Sequence, residues 1–399
     1  MAVTVGDVRA GAASAVATVT RSTTRLVSLD VMRGLVMVLM AIDHVRVYSG
    51  VPAGGPTPAI FFTRWVTHFC APAFVFFAGT SAFFTGRKRT PAQLSRYLLE
   101  RGAWLVLLEL TVIRGAWTFN FDFAHYILAG VIWMIGWCMV LLAGLVRLRT
   151  RTIAAFGLVV IFAQNLVGLL ASATPESLQG WLGWFWKVLY SGGVLTLGQN
   201  GPPVAVLYSI VPWIGVMAAG YAFGAIMVRE SAERRRLCLW IGLSATAVFL
   251  IVGGLEVLLS PAPAGAPPAL FRLLNQRKYP ASQLFLLMTL GPTIAVLPLA
   301  ERMRGSLGDA LAVFGRVPLF YYLLHIPVIH AAAVVVSLVR EGRVNPWLFA
   351  NHPMMPPPVP PGYRWTLPLL YLVFAVVVAI LYVPCRWFAG VKARRAAYP

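Results

Sequence analysis

Long apolar stretches separated by short polar segments dominate the chain, and this pattern predicts membrane-spanning helices. A helix needs about 20 mostly apolar residues to cross the hydrocarbon core of a bilayer. We expect such spans near residues 29–49, 59–85, 98–118, 126–146, 152–171, 204–228, 237–259, 280–300, 317–339 and 366–386. The predicted fold class is therefore all-α, a polytopic transmembrane bundle of about ten helices.

The charged residues between the spans predict the orientation of the bundle. Lys and Arg accumulate in the cytoplasmic loops of membrane proteins. Of the 33 Lys and Arg residues, 21 fall in one alternating set of segments, which includes both termini, and seven fall in the other set. Both termini are therefore predicted to be cytoplasmic, in a multi-pass protein of the cytoplasmic membrane. We expect a disordered cytoplasmic tail over residues 1–27, a single membrane domain over 28–388 and a cytoplasmic tail over 389–399.

The composition indicates that lipid covers much of the protein. Hydrophobic residues make up 59% of the chain and charged residues only 12%, whereas a soluble domain has about a quarter of its residues charged. The net charge of +20 is divided among the predicted inner loops rather than gathered on one face, which argues against a nucleic-acid partner. The four cysteines lie within or beside apolar runs without metal-type spacing, so we predict buried thiols, no disulfide and no metal site.

Asp43 and His44 lie near the outer end of the first predicted span, where an ionisable side chain is costly and needs a role. A carboxylate near an imidazole raises the basicity of the ring, as a general base requires. Adjacent residues do not face each other on a helix, so the partner of His44 is expected to come from another segment. Catalysis by His44 and a structural hydrogen bond are both compatible with the pattern.

The second predicted span carries Arg64 and His68 four residues apart, on one face of its outer half. A nearby guanidinium would keep His68 neutral, and a neutral imidazole can act as a base. In the alternative, Arg64 reaches outward to the membrane surface and His68 only bonds a backbone carbonyl. Pro72 predicts a kink beside them.

Further ionisable residues inside the predicted spans are candidates for binding a substrate. Glu109 and Arg114 in the third span would by default form a structural ion pair. His325 and His330 lie in the ninth span, and for each the alternative is a hydrogen bond between helices. Because the predicted topology puts most of these groups at a similar depth, we expect a polar cavity open to the outside.

The cytoplasmic end of the first span has its own polar group. Asp30 and Arg33 are three residues apart and can pair on one helix face. In the alternative, Arg33 reaches to the interface and Asp30 is favoured by the helix dipole. Gly34 beside them would allow the close approach of another helix or of a ligand.

The first span, SLDVMRGLVMVLMAIDH from Ser28 to His44, resembles the opening helix of the transmembrane acyltransferases. These include the heparan-α-glucosaminide N-acetyltransferase family and the O-acetyltransferases of bacterial surface glycans. Residues 61–83, 211–224, 279–292 and 314–330 are similar to bacterial membrane proteins that are grouped with the catalytic domain of the first family.

The resemblance implies acyl transfer across the membrane, from cytoplasmic acetyl-CoA to a sugar hydroxyl or amine of an extracytoplasmic glycan or glycolipid. His44 falls where the O-acetyltransferases carry their functional histidine, and Asp30 and Arg33 fall on the motif that precedes it. The glucosaminide enzyme carries its catalytic histidine in the first outer loop. Here that loop, residues 50–59, has no histidine, and His68 is our candidate to replace it.

The expected donor site lies at the cytoplasmic side. Arg-rich inner segments, which include Arg316, suit the phosphates of CoA, although the positive-inside rule explains them equally well. The pantetheine arm would pass Gly34 into the membrane.

A proton-coupled transporter or flippase is the alternative function, because a proton relay also uses membrane-buried His, Glu and Arg. The inverted repeats of many transporters are not visible in the sequence. Binding of CoA would distinguish the two functions, since a transporter of another solute has no use for it. The sequence leaves the oligomeric state open, and a homo-oligomer is compatible with it.

Overall fold

Helices form most of the structure, a computed structural model that describes residues 27–198 and 200–397. The predicted disordered tail, residues 1–27, lies outside the described residues except at Val27, where the first helix begins. The α-helices within the described ranges are α1 (Val27–Ser49), α2 (Pro58–Trp65), α3 (Cys70–Gly86), α4 (Pro91–Leu108), α5 (Arg114–Thr118), α6 (Val131–Leu145), α7 (Thr150–Ser172), α8 (Glu176–Trp186), α9 (Trp213–Met227), α10 (Ser231–Leu259), α11 (Ala269–Leu274), α12 (Gln283–Arg302), α13 (Ser306–Arg316), α14 (Pro318–Glu341) and α15 (Leu367–Ala397).

Six helical runs in the described part of the chain are long and apolar enough to cross a membrane. They are Pro58–Gly86, Thr150–Ser172, Ser231–Leu259, Gln283–Arg302, Pro318–Glu341 and Leu367–Arg395. The predicted all-α, multi-pass architecture is therefore confirmed. Each of the ten predicted spans overlaps one helix or helical run, but the number ten stays a prediction.

Two predicted spans begin too early, because a small sheet occupies their first residues. Its strands are β1 (Ile127–Ala129), β2 (Gly193–Thr196) and β3 (Pro203–Val206), in the order β1-β3-β2. Strand β3 pairs parallel to β1 and antiparallel to β2. Hydropathy does not distinguish a short buried strand from the start of a helix. The helices α6 and α9 consequently have 15 residues each, or about 22 Å, which is shorter than a bilayer core of about 30 Å.

The α-helix is interrupted between α2 and α3, close to Pro72, while the kink expected there stays a prediction. A 3-10 turn, Val66–Phe69, connects these helices into one run. Pro72 has no N–H to donate to the carbonyl of His68, four residues earlier, so the regular α-helical hydrogen bond is missing there. The 3-10 turn begins two residues after Arg64.

Helix α13 lies within a segment that the sequence analysis treats as a loop, and it packs against α1. Gly34 and Gly315 make this contact possible. A Cβ added to Gly34 would lie 1.8 Å from the carbonyl oxygen of Leu311, and one added to Gly315 would lie 1.8 Å from that of Asp30. The close approach that Gly34 permits is therefore to a helix, which was one of its two predicted roles.

Two helices extend beyond the predicted spans: α8 lies between two of them, and α15 continues past the last one. Helix α8 (Glu176–Trp186) lies between the predicted spans 152–171 and 204–228. Helix α15 continues to Ala397, so the predicted tail is helical over 389–397. The location of both segments relative to the membrane stays a prediction.

Candidate functional site

A small polar cavity lies beside α1, at the end of the bundle that the loop charges assign to the outside. Its volume is about 40 Å³, which is room for a few water molecules. Its polar lining comes from four separate parts of the chain: Asp43, His44, Thr67, Cys70, Tyr208 and Lys278. A polar cavity was predicted at this end of the bundle, and of the candidate site residues Asp43 and His44 line the one found here; that it opens to the outside stays a prediction.

His44 on the cavity wall is hydrogen-bonded to His325 of helix α14. The Nδ1 atom of His44 lies 2.6 Å from Nε2 of His325, and Nδ1 of His325 lies 2.6 Å from the carbonyl oxygen of Tyr322. Because a carbonyl only accepts, Nδ1 of His325 donates to it and Nε2 of neutral His325 accepts from Nδ1 of His44. The Nε2 atom of His44 is then left with a free lone pair, as a general base requires.

The ring of His44 is also held by packing. It stacks on the ring of His325 with centroids 4.8 Å apart and meets the edge of Trp117 at 5.0 Å. His325 is fully buried. The geometry therefore pairs His325 with the candidate base, although the sequence analysis placed it among the substrate-binding residues.

Asp43 is paired with two arginines rather than with its neighbour His44. Its Oδ1 atom accepts from Nε of Arg46 at 2.9 Å, and its Oδ2 atom lies 3.3 Å from Nη1 of Arg64. Arg64 also donates to the hydroxyl of Thr67 at 3.0 Å. This ion-pair network fixes the outer end of α1 to α2. The expectation that the partner of His44 comes from another segment is confirmed.

Lys278 is a cavity residue that the sequence analysis counted only as a loop cation. It lies just before α12 and is 9% exposed. Its Nζ atom lies 5.3 Å from the ring centre of Tyr279 and 5.7 Å from that of Tyr208, and the hydroxyl of Tyr279 donates to that of Tyr208 at 3.3 Å. A signal was present in the sequence: the lysine directly precedes the apolar window that begins at 280.

A family model described as Heparan-alpha-glucosaminide N-acetyltransferase, catalytic, matches residues 25–260. That range covers more than half of the chain and includes Asp43, His44 and Arg64. The chain belongs to this family. The comparison with curated proteins gives no match. The resemblance inferred from the sequence is therefore confirmed, and the chain is a member of a family of membrane acetyltransferases. The matched range ends before Lys278 and His325.

In this acetyltransferase family member, His68 lies near the cavity but does not line it. It is 9% exposed, and its ring meets the edge of Phe285 with centroids 5.5 Å apart. Neither ring nitrogen forms a hydrogen bond with the described residues, and Nδ1 is fully buried. Arg64 is directed to Asp43 instead. The cavity wall therefore presents His44, while a catalytic role for His68 stays a prediction.

Glu109 and Arg114 are both buried, but the ion pair expected between them is not formed, because each has other partners. Oε2 of Glu109 accepts from the backbone N–H groups of Ile132 at 2.7 Å and Trp133 at 3.2 Å, at the start of α6. Arg114 donates to the carbonyl oxygens of residues 120, 122 and 126 and to the side chains of Thr118 and Asn120. These contacts stabilise the outer loop and the helix end, and substrate binding by either residue stays a prediction.

His330 packs between two aromatic rings near the same end of the bundle. Its ring stacks on Phe119 at 3.8 Å and on Tyr48 at 4.8 Å, and its Nδ1 atom lies 3.2 Å from the carbonyl oxygen of Ala116. This hydrogen bond joins α14 to α5, which was the alternative considered for a histidine in this span. It gives His330 a structural role, and substrate binding stays a prediction.

The predicted donor residues lie at the opposite end of α1. Arg33 lies 3.7 Å from Asp30 and donates to the carbonyl of Phe77 at 3.1 Å and to the hydroxyl of Ser81. Arg316 is exposed at the end of α13, where its carbonyl accepts from Lys392. The expected pairing of Asp30 with Arg33 is thus present, whereas cofactor binding by these residues and by Gly34 stays a prediction.

Proposed function

We propose that this acetyltransferase family member moves an acetyl group from cytoplasmic acetyl-CoA to a hydroxyl or amine of an extracytoplasmic glycan or glycolipid, in the cytoplasmic membrane. The observation that carries the proposal is the hydrogen-bonded pair of His44 and His325 on the wall of a polar cavity. Family membership supports acetyl transfer. The donor, the acceptor and the sidedness are our own inferences.

His44 is the general base in this proposal. As the acceptor oxygen or nitrogen attacks the thioester carbonyl carbon, its proton passes to Nε2 of His44 and the carbonyl electron pair moves onto the oxygen. When this tetrahedral intermediate collapses, the C–S bond breaks and the CoA sulfur takes the proton back from His44. The acetyl group has then replaced one hydrogen of the acceptor, and free CoA thiol leaves.

His325 acts as a positioning residue. It touches His44 and not the reacting atoms, and it fixes which nitrogen of His44 carries the proton. The two neutral imidazoles and the carbonyl of Tyr322 orient His44 without adding a charge. This matters because charges are costly inside a membrane.

The donor would bind from the cytoplasmic end of α1, where Arg33 and Arg316 supply cations for the phosphates of CoA. His44 lies 11 residues beyond Arg33, a distance of about 16 Å along the helix, which an extended pantetheine arm would bridge. The cavity of about 40 Å³ is far below the ~300–1,000 Å³ of typical ligand sites. Leu311 fills the space beside Gly34, so passage there requires α13 to move away from α1.

Calorimetric titration with acetyl-CoA, combined with an assay of radiolabelled acetyl transfer to amino sugars and a glycolipid extract, tests this function on the detergent-purified protein. We expect saturable binding to the wild type and to His44→Ala, because the variant retains the cytoplasmic end of α1. Transfer by His44→Ala should fall by about a hundredfold or more, the usual contribution of a general base.

His125→Ala is the matched control for this experiment, because His125 is an exposed histidine away from the cavity, paired with Asp122. Its transfer activity should equal that of the wild type. If the wild type does not bind acetyl-CoA even at millimolar concentration, the proposal fails and a transporter becomes the better account of the buried ionisable residues.

A further inference from the structure

The outer cavity, taken together with the residues paired to its wall, holds more positive than negative charge. Asp43 is the carboxylate among the described cavity-lining residues, and two arginines already contact it, Arg46 and Arg64. Lys278 is a third cation, and it lines the cavity itself. Buried charges in proteins are normally paired, so a site with one anion and three cations favours a negatively charged or negatively polarised group.

Of these three cations, Lys278 is the one whose N–H donors have no partner among the described residues. It is 9% exposed, and no carboxylate oxygen of the described residues lies within 4.0 Å of its Nζ atom, nor does that atom form a hydrogen bond with them. The rings of Tyr208 and Tyr279 are nearby, with their centres more than 5 Å from Nζ. An ammonium has three N–H donors. Nζ of Lys278 is not among the fully buried atoms that lack a partner, so its donors are accessible from the cavity that the residue lines. The unpartnered ammonium on the cavity wall therefore points to a ligand oxygen.

Unlike Lys278, the two arginines already have hydrogen-bonding partners within the protein. Arg46 bonds Asp43 and the carbonyl of Val51, and Arg64 bonds Asp43 and the hydroxyl of Thr67. Their guanidinium groups hold the outer ends of α1 and α2 in place. Lys278 lines the cavity together with His44, so an oxygen bound to the lysine lies in the same small space as the candidate base.

We infer that Lys278 is a catalytic residue that binds the carbonyl oxygen of the acetyl group and stabilises the oxyanion formed when the acceptor attacks; this inference rests on the proposed function. As the bond from the acceptor to the carbonyl carbon forms, the carbonyl electron pair moves onto the oxygen facing Lys278 and the acceptor proton moves to His44. When the C–S bond breaks, the oxyanion returns its electron pair to the carbonyl. The positive charge of Lys278 is complementary to the negative charge that develops on this oxygen in the transition state.

The first arm of the test measures acetyl transfer from acetyl-CoA. Lys278→Met removes the charge and keeps the length of the side chain, and Arg277→Met, an exposed neighbour on the same loop, is the matched control. Removal of one oxyanion donor typically lowers kcat by about 10²–10³-fold. We expect a loss of that size in Lys278→Met with little change in KM for the donor, partial activity in Lys278→Arg, and wild-type activity in Arg277→Met.

The second arm does not depend on turnover. Thermal unfolding of the detergent-purified variants is followed while potassium acetate replaces potassium gluconate at constant ionic strength, because acetate is small and gluconate is too large for the cavity. We expect acetate to raise the midpoint of the wild type and of Arg277→Met, and to leave that of Lys278→Met unchanged. Lys278→Gln replaces Lys278→Met if the latter elutes as an aggregate.

The two arms separate failure of the inference from failure of the proposed function. A Lys278→Met variant that keeps both its kcat and its response to acetate overturns the role of Lys278. If acetate stabilises the wild type through Lys278 but the wild type transfers no acetyl group to any acceptor, the anion site is supported and the proposed function is overturned.

Discussion

The chemistry of the outer cavity depends on which nitrogen of His44 carries a proton. The carbonyl of Tyr322 decides it through His325. It accepts from Nδ1 of His325, and Nε2 of His325 therefore accepts from Nδ1 of His44. Both hydrogen bonds are 2.6 Å long, and hydrogen bonds in series strengthen one another in a low-dielectric interior. Asp43, although adjacent to His44 in sequence, is occupied by two arginines.

Substitution of His325 tests this positioning role. His325→Phe keeps the stacked ring but removes the acceptor, and it should lower kcat by about ten- to a hundredfold, the usual cost of losing a residue that orients a functional group. His325→Gln restores an acceptor oxygen and should recover much of that loss. KM for acetyl-CoA should be unchanged in both. Equal kcat values for His325→Phe and the wild type would show that the pair has no role in catalysis.

A second residue-scale prediction concerns His352, which lies in the loop before α15 and was missed by the sequence analysis. Its ring stacks on that of Tyr126 at 3.8 Å, and burial, with a smaller contribution from Arg114, lowers the pKa of His352 to about 4. The unfolded chain, with a pKa near 6.5, therefore takes up this proton first as the pH falls. The stability contributed by neutral His352 is complete above pH 6.5 and declines between pH 6.5 and 4, by about 1.4 kcal/mol per pH unit.

His352→Phe keeps the stacked ring and removes the titration. Thermal unfolding of the wild type and this variant should therefore be compared between pH 7 and pH 4.5. We expect the wild type to lose stability relative to the variant as the pH falls. Parallel midpoints across the range would contradict the protonation argument.

The candidate residues, but not their partners, could be predicted from the sequence. Asp43, His44 and Arg64 stand out because ionisable groups inside a span are costly. The contact between His44 and His325, 281 positions apart, depends on tertiary packing and has no local signal. Lys278 was overlooked because a basic residue at the end of a span has an ordinary explanation as an interfacial cation.

At the scale of elements, the start of the short helix α6 is stabilised by a side chain from another segment, Glu109. Glu109 accepts from two N–H groups that have no partner within the helix, and a carboxylate there is also favoured by the helix dipole. Gly130 leaves room for it, since a Cβ at that position would lie 2.5 Å from Oε1 of Glu109. Irregular backbone at membrane depth needs such internal partners.

Glu109 variants distinguish this capping role from substrate binding. Glu109→Leu leaves two buried N–H groups without an acceptor, which should destabilise the protein by about 1–3 kcal/mol for each. Glu109→Gln retains one acceptor oxygen and should lose much less. Thermal unfolding measures both effects. A raised KM for the acceptor in Glu109→Gln, with an unchanged unfolding midpoint, would instead indicate substrate binding.

The contact of α13 with α1 gives a further prediction at the same scale. Gly34→Ala places a Cβ 1.8 Å from a backbone carbonyl oxygen of α13, so the two helices must separate and the unfolding midpoint should fall by several degrees. Gly254→Ala in α10 is the control, because a Cβ there meets nothing within 4 Å and alanine favours a helix by about 1 kcal/mol. A Gly34→Ala variant as stable as the control would contradict this packing.

For the whole molecule, hydropathy predicted most of the helices, because a helix that spans the bilayer needs a long apolar stretch. The orientation inferred from the loop charges stays a prediction. The sheet of β1, β2 and β3 and the helix α13 were not predicted, since strands of three or four residues and a short amphipathic helix lack the length that a span requires. Two of the strands lie next to the site, since Val131 and Tyr208, which follow β1 and β3, line the cavity. The polar residues of α1 form two groups, one near each end, which fits a donor on one side and an acceptor on the other.

The sidedness of acetyl transfer tests this account most directly. Radiolabelled acetyl-CoA is added to sealed inverted membrane vesicles, whose cytoplasmic face is outward, and to right-side-out vesicles. The account predicts labelled glycan or glycolipid inside the inverted vesicles, little label when the donor meets the opposite face, and about a hundredfold less product with His44→Ala than with His125→Ala. Equal labelling by His44→Ala and the wild type, or no labelled product from either face, would contradict it.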